Sequence, residues 1–235
     1  MNEQIPAAER LIFAMDVPDA DTARRLAGAL GDAVEFYKLG LELMMGDGYF
    51  ELLDWLVGTG KRVFVDLKFF DVPATVAAAV GRLRNRGVSF TTVHGNQSML
   101  EAAAEAKGDV KILAVTALTS LDRGDLDDLG FDCDVEQLVL SRAHRALEAG
   151  CDGVISSGLE APLLRRHIDG RLIVVTPGIR PVDNRVTDDQ KRVVDVRQAF
   201  ANGADYIVVG RPIRDAQDPR AAAEAIQSTI ASLFA

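Results

Sequence analysis

The chain has 235 residues, 48% apolar and 26% charged, the balance of an ordinary folded domain, which excludes a disordered or collagen-like polymer. A formal net charge of -9 sets most of the surface against a phosphate backbone, so nucleic acid is not an expected partner. Apolar runs such as Lys111-Ile112-Leu113-Ala114-Val115 stop far short of the ~18 residues a membrane helix needs, and Met1 to Arg10 does not read as a signal peptide, so the expectation is a cytoplasmic protein with no membrane span.

Short β-branched or apolar runs recur in chain order at Leu11 to Asp16, Val34 to Lys38, Arg62 to Lys68, Phe90 to His94, Val110 to Ala117, Gly153 to Ser156, Arg171 to Thr176 and Tyr206 to Val209. Between them, apolar residues three and four apart mark helices, including Tyr49 to Val57, Val72 to Arg84, Ser98 to Ala106, Val135 to Ala149 and Arg220 to Phe234. Short Val/Ile-rich strands alternating with helices imply a parallel sheet, and eight repeats predict an α/β fold closed as a (β/α)8 TIM barrel. An open doubly wound sheet is the runner-up. No linker divides the chain, so residues 1–235 read as one domain. Two connections are long, Thr119 to Asp134 and Pro177 to Gln190, and loops of that length in a compact domain are more often lids than slack.

In such a barrel, catalytic groups come from the carboxyl ends of the strands. The third strand ends Val63-Phe64-Val65-Asp66-Leu67-Lys68, and the two-residue spacing predicts that Asp66 and Lys68 share one face. A lone Asp-x-Lys is most simply a structural ion pair. Asp71, three residues later and before Pro73 and Thr75, fits a helix start in the same simple way. Asp16 and Lys38, however, end the first two strands in like manner, and four charges of alternating sign in one mouth read better as an electrostatic device for a charged substrate. Across the barrel, Gly210-Arg211 follows the eighth strand and Arg180 follows the seventh, which predicts a phosphate site.

Other signals carry less. Gly58-Thr59-Gly60-Lys61 is followed by Arg62, where a phosphate loop needs Ser or Thr, and it precedes a strand instead of a helix. His94, His144 and His167 lack metal-ligand spacing, with His94 in a supporting place at the mouth. Cys133 and Cys151 form neither a disulfide framework nor a zinc motif and read as inert. Neither a metal nor a cofactor is expected.

The elements Asp66-Leu67-Lys68-Phe69-Phe70-Asp71-Val72-Pro73-Ala74-Thr75, Leu118-Thr119-Ser120, Pro177-Gly178-Ile179-Arg180, Asp189-Gln190-Lys191-Arg192 and Gly210-Arg211-Pro212 closely resemble the orotidine 5'-monophosphate decarboxylase family. The resemblance runs from Asp16 to Arg211. It implies that Asp16 and Lys38 hold the ribose hydroxyls, that Asp66 faces the substrate carboxylate and that Lys68 delivers the proton. It further implies a homodimer in which Asp71 and Thr75 enter the neighbouring subunit's site. Thr119 and Ser120 would meet the pyrimidine, while Arg180, Gln190, Gly210 and Arg211 would hold the phosphate. Asp-x-Lys-x-x-Asp is shared with magnesium-dependent sugar-phosphate decarboxylases and hexulose-phosphate synthases, which carry an acid in place of Lys38, so that reading is the alternative. A catalytically silent phosphate-binding barrel is a more distant one. Two departures from the family pattern are Ala74, where many members have Asn, and Val182-Asp183-Asn184 in the lid.

Overall fold

Strands that are apolar on both faces need cover on both sides, and the chain supplies it by returning each strand to the next through a helical layer. In the computed structural model, which describes residues 5–94, 96–168, 170–180 and 193–234, the strands are β1 (Leu11–Ala14), β2 (Phe36–Gly40), β3 (Arg62–Phe69), β4 (Val88–His94), β5 (Lys111–Val115), β6 (Gly153–Ile155), β7 (Ile173–Thr176) and β8 (Tyr206–Val209). Each is parallel to its sequence neighbour, and β8 pairs with β1, with Leu11 opposite Ile207 and Phe13 opposite Val209, so the sheet closes into an eight-stranded barrel. Closure settles the choice between the two predicted folds in favour of the (β/α)8 barrel.

The helices are α1 (Ala20–Leu30), α2 (Leu41–Met44), α3 (Tyr49–Gly58), α4 (Pro73–Gly81), α5 (Gln97–Ala106), α6 (Arg123–Asp128), α7 (Val135–Glu148), α8 (Ala161–His167), α9 (Val196–Ala201), α10 (Arg211–Arg214) and α11 (Pro219–Leu233). Local chemistry sets several starts: Asp19, Asp134, Asp195 and Asp218 each accept a hydrogen bond from the backbone N–H three residues on. Each such cap is worth ~0.5–2 kcal/mol. The connection from Thr119 to Asp134, expected as a loop, instead contains α6. Leu126 is the one buried residue of α6, so no apolar period announces it, and a reciprocal capping box between Asp122 and Asp125 defines its start.

Alternate residues of the strands fill the barrel interior, among them Ile12, Phe36, Phe64, Phe90, Leu113, Ile155, Val175 and Tyr206. At the amino ends, Phe90 packs 5.2 Å from both Phe36 and Tyr206 between ring centroids, and the Arg62 guanidinium lies 4.4 Å over Phe36. This aromatic plug closes the lower half of the barrel and leaves space at the carboxyl ends. Among the described residues no helix is long and apolar enough to cross a membrane.

Candidate active site

A cavity of about 480 Å³ opens at the carboxyl ends of the strands. Ala14, Phe64, Val115, Ile155 and Val208 form its apolar floor. Asp16, Lys38, Asp66 and Lys68 line it together with Thr119, Arg180, Gly210 and Arg211, and Gly210 sits beside Asp16, a Cβ there coming to 3.7 Å from Asp16 Oδ2. Asp71, Thr75 and Ser120 are exposed and do not line this cavity; Gln190 and Val182-Asp183-Asn184 lie outside the described residues.

The four mouth charges form one connected line. The Lys38 ammonium is 2.9 Å from Asp16 Oδ1 and 3.5 Å from Asp66 Oδ2, and the Lys68 ammonium is 2.9 Å from both oxygens of Asp66. Lys38 and Asp66 are buried, at 9% and 8% exposure. Burial alone would push the Asp66 carboxyl up, but Lys38, Lys68 and the hydrogen bonds it accepts hold it below the usual carboxylate range. Burial likewise pulls Lys38 down, and Asp66 and Asp16 outweigh it, so its pKa is raised. Both groups are therefore charged at neutral pH.

Local backbone places these groups in ways the strand period does not describe. Asp16 lies two residues beyond β1, and Lys38 stands inside β2 instead of at its end. Lys68 is reached through an irregularity: its backbone is left-handed, with φ of 48°, and the register against β4 shifts between Val65 and Phe69. A non-glycine residue in that region costs ~1–3 kcal/mol, a strain that surrounding structure must hold. Asp66 and Lys68 do meet as their spacing predicts, yet they do so by a turn in the chain and not by regular alternation.

Three further contributors carry no signal of their own in the sequence. Thr92 on β4, fully buried, donates to Asp66 Oδ1 at 2.8 Å and accepts from the Lys68 N–H at 2.9 Å. Arg214 lines the cavity and donates to the backbone carbonyl of Asp16 at 2.8 Å, tying α10 to the segment after β1. Gly40 leaves room for the Lys38 ammonium, since a Cβ there would come within 2.9 Å of Nζ. A Thr in a strand and a Gly at the end of one are ordinary residues, and only their neighbours reveal these roles.

His94 ends β4, with its ring edge-on to Phe70 at 5.6 Å. Burial, then Arg142 and Lys68, lower its pKa, so it adds no positive charge to the mouth at neutral pH. Both cysteines are free, and burial, reinforced by Asp152, pushes the Cys151 thiol up to about 12, which makes it a poor nucleophile. Among the described residues no group of three or more His, Cys, Asp or Glu side chains is arranged to hold a metal ion.

Residues 9–226 match the model of the orotidine 5'-phosphate decarboxylase / HUMPS family. The chain is 66% identical over 234 residues to orotidine 5'-phosphate decarboxylase of Methylococcus capsulatus, covering 100% of this chain and 97% of the relative. It is 54% identical to the Stenotrophomonas maltophilia protein of the same name, over 97% of this chain and 95% of the relative. The solved orotidine 5'-phosphate decarboxylase of Lactobacillus acidophilus superposes with a TM-score of 0.82 at 34% identity, covering 94% of this chain and 99% of the other. With these matches spanning both the barrel and its mouth, the chain belongs to the orotidine 5'-phosphate decarboxylase / HUMPS family.

Proposed function

We propose that the protein converts orotidine 5'-monophosphate to uridine 5'-monophosphate and CO2, the last step of UMP synthesis, with no metal or cofactor. The observation that carries this reading is the connected line Asp16–Lys38–Asp66–Lys68 sharing one cavity with Arg180 and Arg211. Relatives that carry this activity in their names, at 66% and 54% identity, support the nucleotide substrate over a sugar phosphate.

Loss of CO2 from C6 of orotate leaves an electron pair in an in-plane orbital that the ring π-system cannot delocalise. Stabilisation must then be electrostatic. The C6–carboxylate bond breaks, CO2 departs, and the electron pair on C6 takes a proton from the Lys68 ammonium; the amine regains its proton from water. Asp66 faces the substrate carboxylate and keeps Lys68 in place. Asp16 and Lys38 hold the ribose hydroxyls, Thr119 and Ser120 meet the pyrimidine, and Arg180, Gln190, Gly210 and Arg211 take the phosphate. Binding of that remote phosphate contributes through positioning and closure.

The site is completed in a homodimer, Asp71 and Thr75 of one chain entering the site of the other. In its own chain Asp71 is exposed and accepts a local 2.6 Å bond from the Val72 N–H. Its neighbours Phe70 and Val72 are 64% and 62% exposed, the kind of apolar surface a second copy covers. Free thiols suit a reducing cytoplasm, and the net charge of -9 argues against nucleic acid.

Lys68→Ala tests the assignment. In an absorbance assay with orotidine 5'-monophosphate the folded variant should lose nearly all turnover, whereas exhaustive chelation should leave the wild-type rate unchanged. Substantial activity in Lys68→Ala would remove Lys68 as proton donor. A rate that falls with chelator and returns with magnesium would favour a metal-dependent sugar-phosphate lyase.

A further inference from the structure

A left-handed residue near the end of a strand is unstable unless something over-determines it, and at Lys68 the holding group comes from the adjacent strand. Thr92 has one hydroxyl proton and lone pairs to accept with, and both functions are engaged by the same two residues: the proton goes to Asp66 Oδ1 at 2.8 Å, and the oxygen receives the Lys68 N–H at 2.9 Å. The register shift between Val65 and Phe69 spans this contact. Asp66 Oδ1 in turn receives the Lys68 ammonium at 2.9 Å. One buried hydroxyl thus closes a ring through the backbone of Lys68, the carboxylate of Asp66 and the ammonium of Lys68.

We propose that Thr92 is a positioning residue for the decarboxylation, its hydroxyl fixing the left-handed turn at Lys68 and the rotamer of Asp66 together so that the ammonium stands at a set point in the cavity. The inference rests on Lys68 being the proton donor. Thr92 touches no substrate atom in this account: it is fully buried and is not among the residues lining the cavity. Valine would keep its shape and lose both bonds. Serine would keep both bonds and lose only the methyl group. Alanine against serine isolates the hydroxyl alone.

Because the ammonium matters at the chemical step and the phosphate and ribose contacts lie elsewhere, loss of the hydroxyl should act on kcat and not on KM. Misplacement of a reacting group by about 1 Å costs up to ~100-fold, so Thr92→Val and Thr92→Ala should lower kcat by ~10- to 100-fold, with KM for orotidine 5'-monophosphate within about threefold of wild type. Thr92→Ser should stay within about threefold in both. Sites are counted by calorimetric titration with uridine 5'-monophosphate, so that kcat is expressed per binding-competent site and a partly unfolded sample cannot imitate the effect. Should Thr92→Val not fold, the Ala and Ser pair carries the same comparison. A kcat per site within about twofold of wild type in Thr92→Ala, a rise in KM alone, or an equal loss in Thr92→Ser would each overturn the proposal. Lys68→Ala in the same assay separates the two claims: an active Lys68→Ala sinks the proton-donor reading and this inference with it, whereas an inactive Lys68→Ala beside a normal Thr92→Ala sinks the positioning role alone.

Discussion

Asp66 is held by two ammonium groups and a hydroxyl at once, and this crowding keeps a buried carboxylate ionised. The sign of its pH effect follows. Its folded pKa lies below the unfolded value of ~3.9, so its stabilising contribution is complete above about pH 4 and is lost as pH falls through the lower folded value. Urea midpoints of the wild type should therefore fall more steeply below about pH 4 than those of Asp66→Asn, and equal slopes would show that the pair adds no pH-dependent stability. Arg211 lines the same cavity, and the phosphate contact proposed for it would be charge-assisted and worth ~1.5–3 kcal/mol, so Arg211→Ala should cost on the order of tenfold to a hundredfold in kcat/KM for orotidine 5'-monophosphate. The same variant should impose no such penalty on orotidine, which lacks the phosphate; an equal penalty there would assign Arg211 to another part of the substrate. Asp16, Lys38, Asp66 and Lys68 are legible in the sequence because four charges of alternating sign recur at or near the ends of apolar strands, a pattern that a single structural ion pair does not explain. Thr92 is not legible, because threonine is at home in any strand and its partners are 24 and 26 residues away.

At the scale of elements, β2 and β3 carry three of the four linked charges, and each departs from an ideal strand where it does so. The predicted period put Asp66 and Lys68 on one face, and they do meet, yet the left-handed backbone at Lys68 brings them together. In β2 the departure is a missing side chain. A Cβ at Gly40 would approach Lys38 Nζ to 2.9 Å and Asp16 Oδ1 to 3.4 Å, so Gly40→Ala must displace the ammonium. The end of a lysine moves at little cost to the fold, so the melting temperature should change by only a few degrees while kcat/KM falls by about tenfold. Unchanged kinetics in Gly40→Ala would mean that the position of Lys38 is not critical. The short helix α6 escaped the sequence reading for a related reason: its start depends on the Asp122–Asp125 capping box, and an acidic run with a single buried leucine looks like loop.

For the molecule as a whole, the barrel was legible because eight short apolar strands alternating with amphipathic helices leave few ways to bury both faces of a sheet. The net charge is -9, yet Arg180, Arg211 and Arg214 line one cavity, so an acidic chain still offers local positive charge to an anion there. Asp71 stands apart from that cavity. It is exposed and does not line the cavity of its own chain, whereas Asp16, Lys38, Asp66 and Lys68 already form a connected line there.

Subunit exchange tests this account most directly, because it asks at once whether Lys68 and Asp71 are essential and whether they belong to different chains of one site. Lys68→Ala and Asp71→Asn homodimers should each be nearly inactive. After equal amounts are mixed, mildly denatured and refolded, each mixed dimer of a two-fold assembly holds one site with both lesions and one with neither. Turnover of orotidine 5'-monophosphate should then return to roughly a quarter of the wild-type value per chain. If mass spectrometry confirms mixed dimers and the mixture stays inactive, the two residues work within one chain and the shared site is wrong.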